Sequence, residues 1–352
     1  YSAAQDERKA SDMLFIVGMT RGGNTWLGKI FDSHSRVLYR HEPDSILRCR
    51  EIPEICEDDQ VDDYLAAATD YFLRVFQVRT SKAVGSFPVF SKDFHSAAAF
   101  RLRRAMVYGG KAAERTILFP RFFRDMTIPD LLAAGGPAPE MVVKSIAALG
   151  RMNLFIRAFP EAKVILLLRH PCGQIQSTLR AIELDRIDNA VPATTDWGIY
   201  EDICNTRMAR AAGLEMAAIR AMDPVERLAH RWAVFNDHAL GVLEDHDNAI
   251  VVRYEDLCDE PLAESRRLFD FAGIEWQPGN EDFVRQSSGI GVAAQDQETY
   301  DRVFRDSRKT ANQWKSKLTP DQIGMILAIT DRSRSGAFFE APGDGHLAEN
   351  QS

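Results

Sequence analysis

A glycine-rich segment near the start of the chain has the spacing of a phosphate-binding loop. In the segment GMTRGGNTW, Gly18 and Gly23 occupy the two glycine positions of the pattern G-x-x-x-x-G-K-[ST], and Thr25 occupies the hydroxyl position. The lysine position holds Asn24, and Arg21 supplies a positive charge inside the loop instead. A standard kinase or ATPase needs that lysine for the β- and γ-phosphates. The segment therefore predicts a backbone nest at a helix N-terminus that binds a different anion.

A second candidate anion contact lies in the segment RHPCGQIQS. Arg169 follows an apolar run, and Ser177 comes eight residues later in a stretch with helical spacing. A guanidinium and a hydroxyl placed in this way can bind one phosphate from two sides. An arginine at a strand end and a helical serine are also common on solvated surfaces, so this pair alone does not establish a site.

Five apolar runs predict the strands that position these residues. They are 13–18, 36–43, 140–145, 163–171 and 248–257. Stretches with helical spacing lie between them, which is typical of an α/β protein whose parallel sheet is covered by helices. Ligands of such sheets bind at the carboxyl ends of the strands, where both anion contacts fall. We therefore expect a P-loop-like parallel sheet flanked by helices.

Composition limits the classes of function. The 352 residues carry a formal charge of −8, so no general affinity for nucleic acid is expected and any anion site must be locally basic. Five cysteines without a CxxC pair are typical of reduced thiols, which predicts a cytoplasmic location. The sequence has no membrane-spanning run, no signal peptide and no His or Cys spacing typical of a metal site. The first residue is Tyr1, so a targeting segment before it stays open. The sequence does not decide the oligomeric state.

Together these residues resemble the sulfotransferase family, whose donor is 3′-phosphoadenylyl sulfate (PAPS) and whose product is 3′,5′-bisphosphoadenosine (PAP). In that family a Lys or Arg followed by Ser-Gly-Thr-Thr grips the 5′-phosphosulfate, and here the segment from Arg21 to Trp26 stands in that place. The second family motif begins with Arg, usually followed by Asp-Pro, and ends at a Ser that binds the 3′-phosphate. Arg169 and Ser177 match this motif, whereas His170 replaces the Asp.

The resemblance extends over about residues 13–330. It is closer to carbohydrate sulfotransferases and bacterial relatives than to the enzymes that act on phenols and steroids. Segment 251–274 is similar to the family's structural strand and helix, and segment 305–318 to its basic loop over the donor. The resemblance implies no Mg²⁺, and Trp26 and Trp314 are expected in the core rather than on adenine. The implied donor contacts are Arg21, Gly22, Gly23, Asn24, Thr25, Trp26, Arg169, Ser177, Arg308 and Lys309.

Sulfuryl transfer needs a group that stabilises the leaving phosphate, and the resemblance places Arg21 in that role. It also needs a general base for the acceptor hydroxyl. Glu42 ends the second predicted strand beside the loop, and it is the predicted base, particularly if partial burial raises its pKa. The alternative is that Glu42 serves as a salt-bridge partner. Its neighbour His41 is expected to point to the opposite side of the strand.

Two further residues belong to the candidate catalytic group. The strand of the phenol and steroid enzymes reads Lys-Thr/Ser-His, and their His is the base; here that position is Ile146. His95 is therefore the reserve base. Lys144, which begins the same triplet, either touches the transferring sulfuryl group or pairs with an acid.

The expected organisation is a single sulfotransferase domain over 1–340, followed by a disordered tail at 341–352. Helical insertions around 44–140 and 186–246 are expected to shape the acceptor pocket. The predicted reaction moves the sulfuryl group of PAPS to a hydroxyl of a carbohydrate or small alcohol by in-line displacement. Two alternatives stay open: a nucleotide kinase of the P-loop class, and a relative that binds a nucleotide without turnover.

Overall fold

A five-stranded sheet forms the centre of the computed structural model, which describes residues 13–47, 49–114, 126–133, 138–184, 191–289 and 307–340. The strands are β1 (Leu14–Val17), β2 (Val37–His41), β3 (Glu140–Ser145), β4 (Lys163–Leu168) and β5 (Ala249–Arg253). Their spatial order is β2-β3-β1-β4-β5, and every neighbouring pair is parallel. The predicted α/β fold with a parallel sheet is therefore confirmed, and all carboxyl ends of the strands lie along one edge.

Helices account for most of the other described residues. The first group is α1 (Asn24–Asp32), α2 (Val61–Phe76), α3 (Ser81–Val84), α4 (Ala97–Glu114), α5 (Met152–Ala158), α6 (Pro171–Glu183), α7 (Trp197–Cys204) and α8 (Arg207–Ala211). The second group is α9 (Met216–Ala221), α10 (Pro224–Leu243), α11 (Tyr254–Asp259), α12 (Pro261–Ala272), α13 (Pro278–Ser288), α14 (Ser307–Asn312), α15 (Trp314–Lys317) and α16 (Pro320–Thr330).

The central strands are buried on both faces. In β1, Phe15 belongs to one apolar cluster with residues of α2, α5 and α10, whereas Ile16 belongs to a second cluster with residues of α1, α12 and α13. Successive side chains of a strand point to opposite faces, so a continuous apolar run such as LFIV suits a sheet covered on both sides. Helices on both faces leave the carboxyl edge of the strands for the polar residues.

The fifth strand is shorter than predicted. The run 248–257 was expected to be extended throughout, but β5 ends at Arg253 and α11 begins at Tyr254. Glu255 and Asp256 lie in the first turn of α11, where acidic side chains favour the helix N-terminus. The apolar pattern did not reveal this change because Tyr254 and Leu257 are buried in either conformation.

Parts of the predicted organisation lie outside the described residues. The tail 341–352, the first two residues of segment 305–318 and portions of both helical insertions belong to this group. Within the described ranges, no helix has the length and hydrophobicity required to cross a membrane. The single-domain boundaries stay a prediction.

Candidate active site

The loop between β1 and α1 has the backbone of a tight nest. Gly23 is the N-cap of α1 with φ of +96°, and a Cβ there would lie 2.3 Å from the ring of Tyr254. Gly22 donates a backbone hydrogen bond to the Met19 carbonyl at 2.9 Å. Arg21 also has a positive φ, of +69°. Only glycine combines this conformation with so close an approach, which explains the residue at position 23.

Arg21 and Ser177, predicted from separate motifs, are in contact. The Arg21 Nε donates to the Ser177 Oγ at 3.2 Å, although the two residues are 156 positions apart. Arg169 joins them, because its Nη1 donates to the Arg21 carbonyl at 2.8 Å. The carboxyl end of β4 and the start of α6 thus lie against the loop, and the two candidate anion contacts form one site.

Arg169 is held in a way that suits an anion ligand. Its side chain is buried, its guanidinium carbon lies 4.7 Å from the centre of the Tyr254 ring, and its Nη2 donates to the Thr310 carbonyl at 3.3 Å. Its Nε is buried and has no hydrogen-bond partner among the described residues. A buried guanidinium N–H without an acceptor is costly, so this geometry fits a bound phosphate or sulfate oxygen.

Asn24 explains how the loop manages without the usual lysine. Its side chain is buried, and its Nδ2 donates to the Met19 carbonyl at 2.8 Å. A Cβ on Gly18 would lie 2.5 Å from the Asn24 Oδ1, so this glycine makes room for the amide. The Asn24 side chain therefore stabilises the loop from inside, and its contact with the donor stays a prediction.

Trp26 lies in the core. Its side chain is 7% exposed, and its Nε1 donates to the Ser287 Oγ at 2.9 Å.

Trp314, expected in the core as well, is only partly buried, and its ring stacks on that of His170 with centroids 4.5 Å apart and an angle of 14°. His170 also caps α6, since its Nδ1 accepts from the Cys172 N–H at 3.2 Å. An Asp at this N-cap would accept in the same manner, so His170 can replace an Asp here without loss of the helix cap.

Lys144 and Glu42 form an ion pair beside the loop. The Lys144 Nζ donates to the Glu42 Oε1 and lies 3.4 Å from the Thr25 Oγ1. Lys144 is 2% exposed. Parallel pairing of β2 with β3 places His41 opposite Lys144 and brings the following residue, Glu42, to the same edge. Both alternatives for Lys144 are thus visible in one place: it pairs with an acid, and it faces the loop that holds the anion site.

The environment of Glu42 differs from the expectation. Burial by itself raises the pKa of the Glu42 carboxyl, but the nearby Lys144 charge, followed by those of His41 and Lys82, outweighs it and lowers the pKa to about 2. The carboxylate is therefore charged at neutral pH. The expectation of a raised pKa is wrong, because it considered burial without the neighbouring basic groups.

His41 does not point away from Glu42. Glu42 adopts φ of +46° and ψ of +50°, which ends the strand geometry, and the His41 Nε2 lies 3.9 Å from the Glu42 Oε1. Burial and the Lys144 charge lower the pKa of His41 to about 3, so its imidazole is neutral at pH 7. The prediction from strand alternation is wrong because the alternation stops at this residue.

The remaining predicted residues have other partners than the ion pair. The His95 Nε2 is 2.6 Å from the Asp130 carbonyl, and the residue lines a cavity with Tyr39 and Lys92. Arg308 is exposed and contacts the carbonyl and carboxylate of Asp259. Arg308 and Lys309 both belong to α14, the helix whose Thr310 carbonyl accepts from Arg169. The base and donor roles given to these residues stay predictions.

Sequence reasoning missed two residues of the site. Tyr254 packs under Gly23 and beside Arg169, and Lys82 lies 3.6 Å from the Glu42 Oε2. The glycine at position 23 signals that a bulky group approaches the loop, but not which one. Nothing near position 82 in the sequence points to Glu42. Within the described residues, no group of three or more His, Cys, Asp or Glu side chains is arranged to hold a metal ion.

Comparison with known proteins gives the same family as the motifs. The model of the Sulfotransferase family matches residues 13–278. Carbohydrate sulfotransferase 2 of Homo sapiens is 22% identical over 360 residues, covering 89% of this chain and 62% of its own length. Carbohydrate sulfotransferase 1 of Danio rerio is 22% identical over 351 residues, covering 90% of this chain and 75% of its own. The chain thus spans less than two thirds of the human relative.

Solved structures similar to this chain are sulfotransferases as well. The mouse sulfotransferase SULT7A1 complexed with PAP has a TM-score of 0.42 and 12% identity, covering 93% of this chain and 88% of its own. The sulfotransferase domain of the Synechococcus olefin synthase has a TM-score of 0.40 and 14% identity, with 90% and 93% covered. Because the family model matches well over half of the 352 residues, the chain belongs to the sulfotransferase family.

Proposed function

We propose that the protein transfers the sulfuryl group of PAPS to a hydroxyl of a carbohydrate. The observation that carries this proposal is that the candidate donor contacts and the candidate base both lie against the loop between β1 and α1. Arg21 of the loop contacts Ser177 and Arg169 on one side, and Thr25 of the same loop contacts the Lys144–Glu42 pair on the other. Donor contacts and a candidate base therefore flank one position.

The residues of the loop suit the donor better than a triphosphate. The donor carries one 5′-phosphate bonded to a sulfuryl group and a separate 3′-phosphate, as the family resemblance implies. The Arg21 side chain and the N–H groups at the start of α1 would hold the phosphosulfate, and Arg169 with Ser177 the 3′-phosphate. The lysine that a triphosphate loop needs is replaced by Asn24, whose amide is used inside the loop. This difference weakens the kinase alternative.

In the proposed reaction the acceptor oxygen attacks sulfur while the bond from sulfur to the 5′-phosphate oxygen breaks. Glu42 takes the proton of the acceptor hydroxyl, and PAP leaves with the bonding electron pair. Arg21 stabilises the negative charge that develops on the departing phosphate. Lys144 lies between the base and the loop, so its ammonium can neutralise the sulfuryl oxygens during transfer.

The first test is an acceptor screen. We expect release of PAP from PAPS to depend on an added carbohydrate, with the sulfated product identified by mass spectrometry. The human and zebrafish relatives are named as carbohydrate sulfotransferases, which supports starting with carbohydrates. Donor binding without acceptor-dependent release over a broad panel would favour the non-catalytic alternative.

Donor selectivity gives a direct prediction. We expect PAP to bind far more tightly than ATP or 5′-AMP without added metal. The proposed 3′-phosphate contacts are Arg169 and Ser177, and ATP and AMP have no 3′-phosphate to occupy them. Isothermal titration calorimetry with and without Mg²⁺ measures this preference. Equal affinities for PAP and AMP, or tight binding of ATP that requires Mg²⁺, would contradict the proposed donor and favour the kinase alternative.

Arg169→Ala is expected to weaken PAP binding by about ten- to a hundredfold, the equivalent of one charge-assisted hydrogen bond of about 1.5–3 kcal/mol. The effect should fall on donor affinity more than on turnover at saturating donor, because the 3′-phosphate is not at the reacting bond. Calorimetry with PAP and steady-state kinetics separate the two. Matching affinities of Arg169→Ala and the unmodified protein for PAP would contradict this assignment.

A cytoplasmic location stays part of the proposal. All five cysteines are unpaired, which supports a reducing compartment. Burial raises the pKa of the thiols of Cys56, Cys172 and Cys258, which keeps them in the unreactive thiol form. Fractionation of cells that express the native protein tests this point.

A further inference from the structure

The two carboxylate oxygens of Glu42 face different cations. The Oε1 contacts Lys144, which also reaches Thr25 of the donor loop. The Oε2 lies 3.6 Å from the Nζ of Lys82, a residue of the short helix α3. Glu42 therefore lies between a cation on the donor side and a second cation that the reaction described above does not use.

Lys82 lies on the open side of the carboxylate. The Lys82 side chain is 36% exposed, whereas that of Lys144 is 2% exposed. Helix α3 packs against the edge strand β2, so Lys82 borders the site from outside the sheet. Of the two cations that face Glu42, Lys82 is therefore the one that an acceptor arriving from solvent can contact.

The segment that carries Lys82 is basic in an acidic protein. Residues 79–114 include seven Lys or Arg residues against two acidic ones, whereas the whole chain has 43 against 51. Four of the seven side chains are at least one third exposed in the structure: Lys82, Arg101, Arg104 and Arg79, of which Arg79 is paired with Asp130. A local excess of positive charge on an otherwise negative protein attracts anions to that region.

We infer that Lys82 contacts the acceptor and that the acceptor is an anionic carbohydrate, with a carboxylate or sulfate near the reacting hydroxyl. This inference rests on the proposed sulfuryl transfer and names the class of acceptor. A hydroxyl that bonds to the Glu42 Oε2 takes the place of the Lys82 ammonium. A neutral acceptor leaves that exposed ammonium to water alone, while an anionic one supplies a charged partner. The geometry thus favours an acceptor with a negative group.

The test uses one oligosaccharide in two forms: one that contains uronic acids, and the same one after its carboxyl groups have been reduced to alcohols. Each is titrated calorimetrically into the protein saturated with PAP. We expect the unmodified protein to bind the charged form more tightly. Lys82→Ala should weaken binding of the charged form about five- to tenfold, between the values for an exposed ion pair and a charge-assisted hydrogen bond, and leave the reduced form within about twofold.

Arg267→Ala is the matched control. Arg267 is an exposed base on α12 that pairs with Glu264. In the chain, α12 comes after β5 and α11, and β5 is the edge strand opposite to β2. Arg267→Ala removes one positive charge, as Lys82→Ala does. A general electrostatic effect would therefore weaken acceptor binding in both variants, whereas loss of a direct contact would weaken it in Lys82→Ala alone. A preliminary titration of PAP into the unmodified protein is required, and absence of PAP binding there would refute the proposed function itself.

The remaining outcomes bear on the inference alone. If PAP binds but the unmodified protein shows no preference for the charged form, the inference is wrong. If Lys82→Ala lowers the affinity for the charged and the reduced oligosaccharide equally, Lys82 acts through Glu42 and does not contact the negative group of the acceptor, and the inference is wrong. Kinetics provide the second readout: the KM for the charged acceptor should rise in Lys82→Ala while kcat stays within about twofold, as expected when a binding contact is lost.

Discussion

Glutamine in place of Glu42 is expected to reduce turnover by about 10²–10⁴-fold, the usual contribution of a general base. The amide cannot take the proton, so the acceptor hydroxyl would attack sulfur with its proton still bound. The amide oxygen can still accept a hydrogen bond from Lys144, so PAP affinity should persist, and the fold should persist at a lower stability because this buried lysine loses its counter-charge. Steady-state turnover with PAPS and a carbohydrate acceptor, together with calorimetry with PAP, measures both effects.

The pH dependence provides an independent check on Glu42. Its pKa is lowered to about 2 in the donor-free protein, so the basic form is present at neutral pH and is lost only as the pH falls toward that value. The acidic limb of kcat/KM, which reports the free protein, should therefore lie below about pH 4. Lys144→Met removes the main lowering charge and should move that limb to higher pH. A limb that stays in place in Lys144→Met would argue against Glu42 as the titrating base.

His95→Ala is the matched comparison for the base. His95 is hydrogen-bonded to the Asp130 carbonyl and lines a cavity beside β2, and neither contact involves Lys144 or Glu42. We expect this variant to retain most of its turnover. If Glu42→Gln keeps more than about a third of the turnover, far from the loss expected of a base, while His95→Ala abolishes it, the assignment passes to His95.

Arg21→Ala is expected to lower kcat by about 10²–10³-fold, as loss of one group that stabilises a developing negative charge does. The interaction strengthens as the bond between sulfur and phosphate breaks, so turnover should suffer more than PAP affinity. The Arg21 carbonyl, which accepts from Arg169, is retained in the variant. Single-turnover kinetics with PAPS and calorimetry with PAP separate the chemical step from binding.

The backbone at position 21 requires a second variant. Arg21 has φ of +69°, a conformation that alanine adopts at a cost and glycine adopts freely. Equal losses in Arg21→Ala and Arg21→Gly would identify the guanidinium as the cause, whereas recovery in Arg21→Gly would point to backbone strain. A change confined to donor affinity, with kcat intact in both variants, would show that Arg21 binds the donor and has no role in the chemical step.

Local patterns were sufficient for the fold. All five strands appear where apolar runs predicted them, because a strand buried on both faces must be apolar throughout. The strand–loop–helix order around the glycines likewise placed the nest, since Gly23 needs a backbone conformation that other residues resist. Three strands end before their predicted bounds, β2 after His41, β4 after Leu168 and β5 after Arg253, because the apolar pattern does not mark where the backbone leaves the extended conformation.

The sequence by itself determined which residues could bind an anion: Arg21 and its loop, and Arg169 with Ser177. It could not determine that Arg21 and Ser177 touch, or that Lys82 faces Glu42, because these contacts join distant segments. The tertiary structure decided them by aligning the carboxyl ends of parallel strands at one edge and packing α3 against β2. It also decided the charge state of Glu42, since a pKa depends on the cations that folding brings near and not on sequence neighbours.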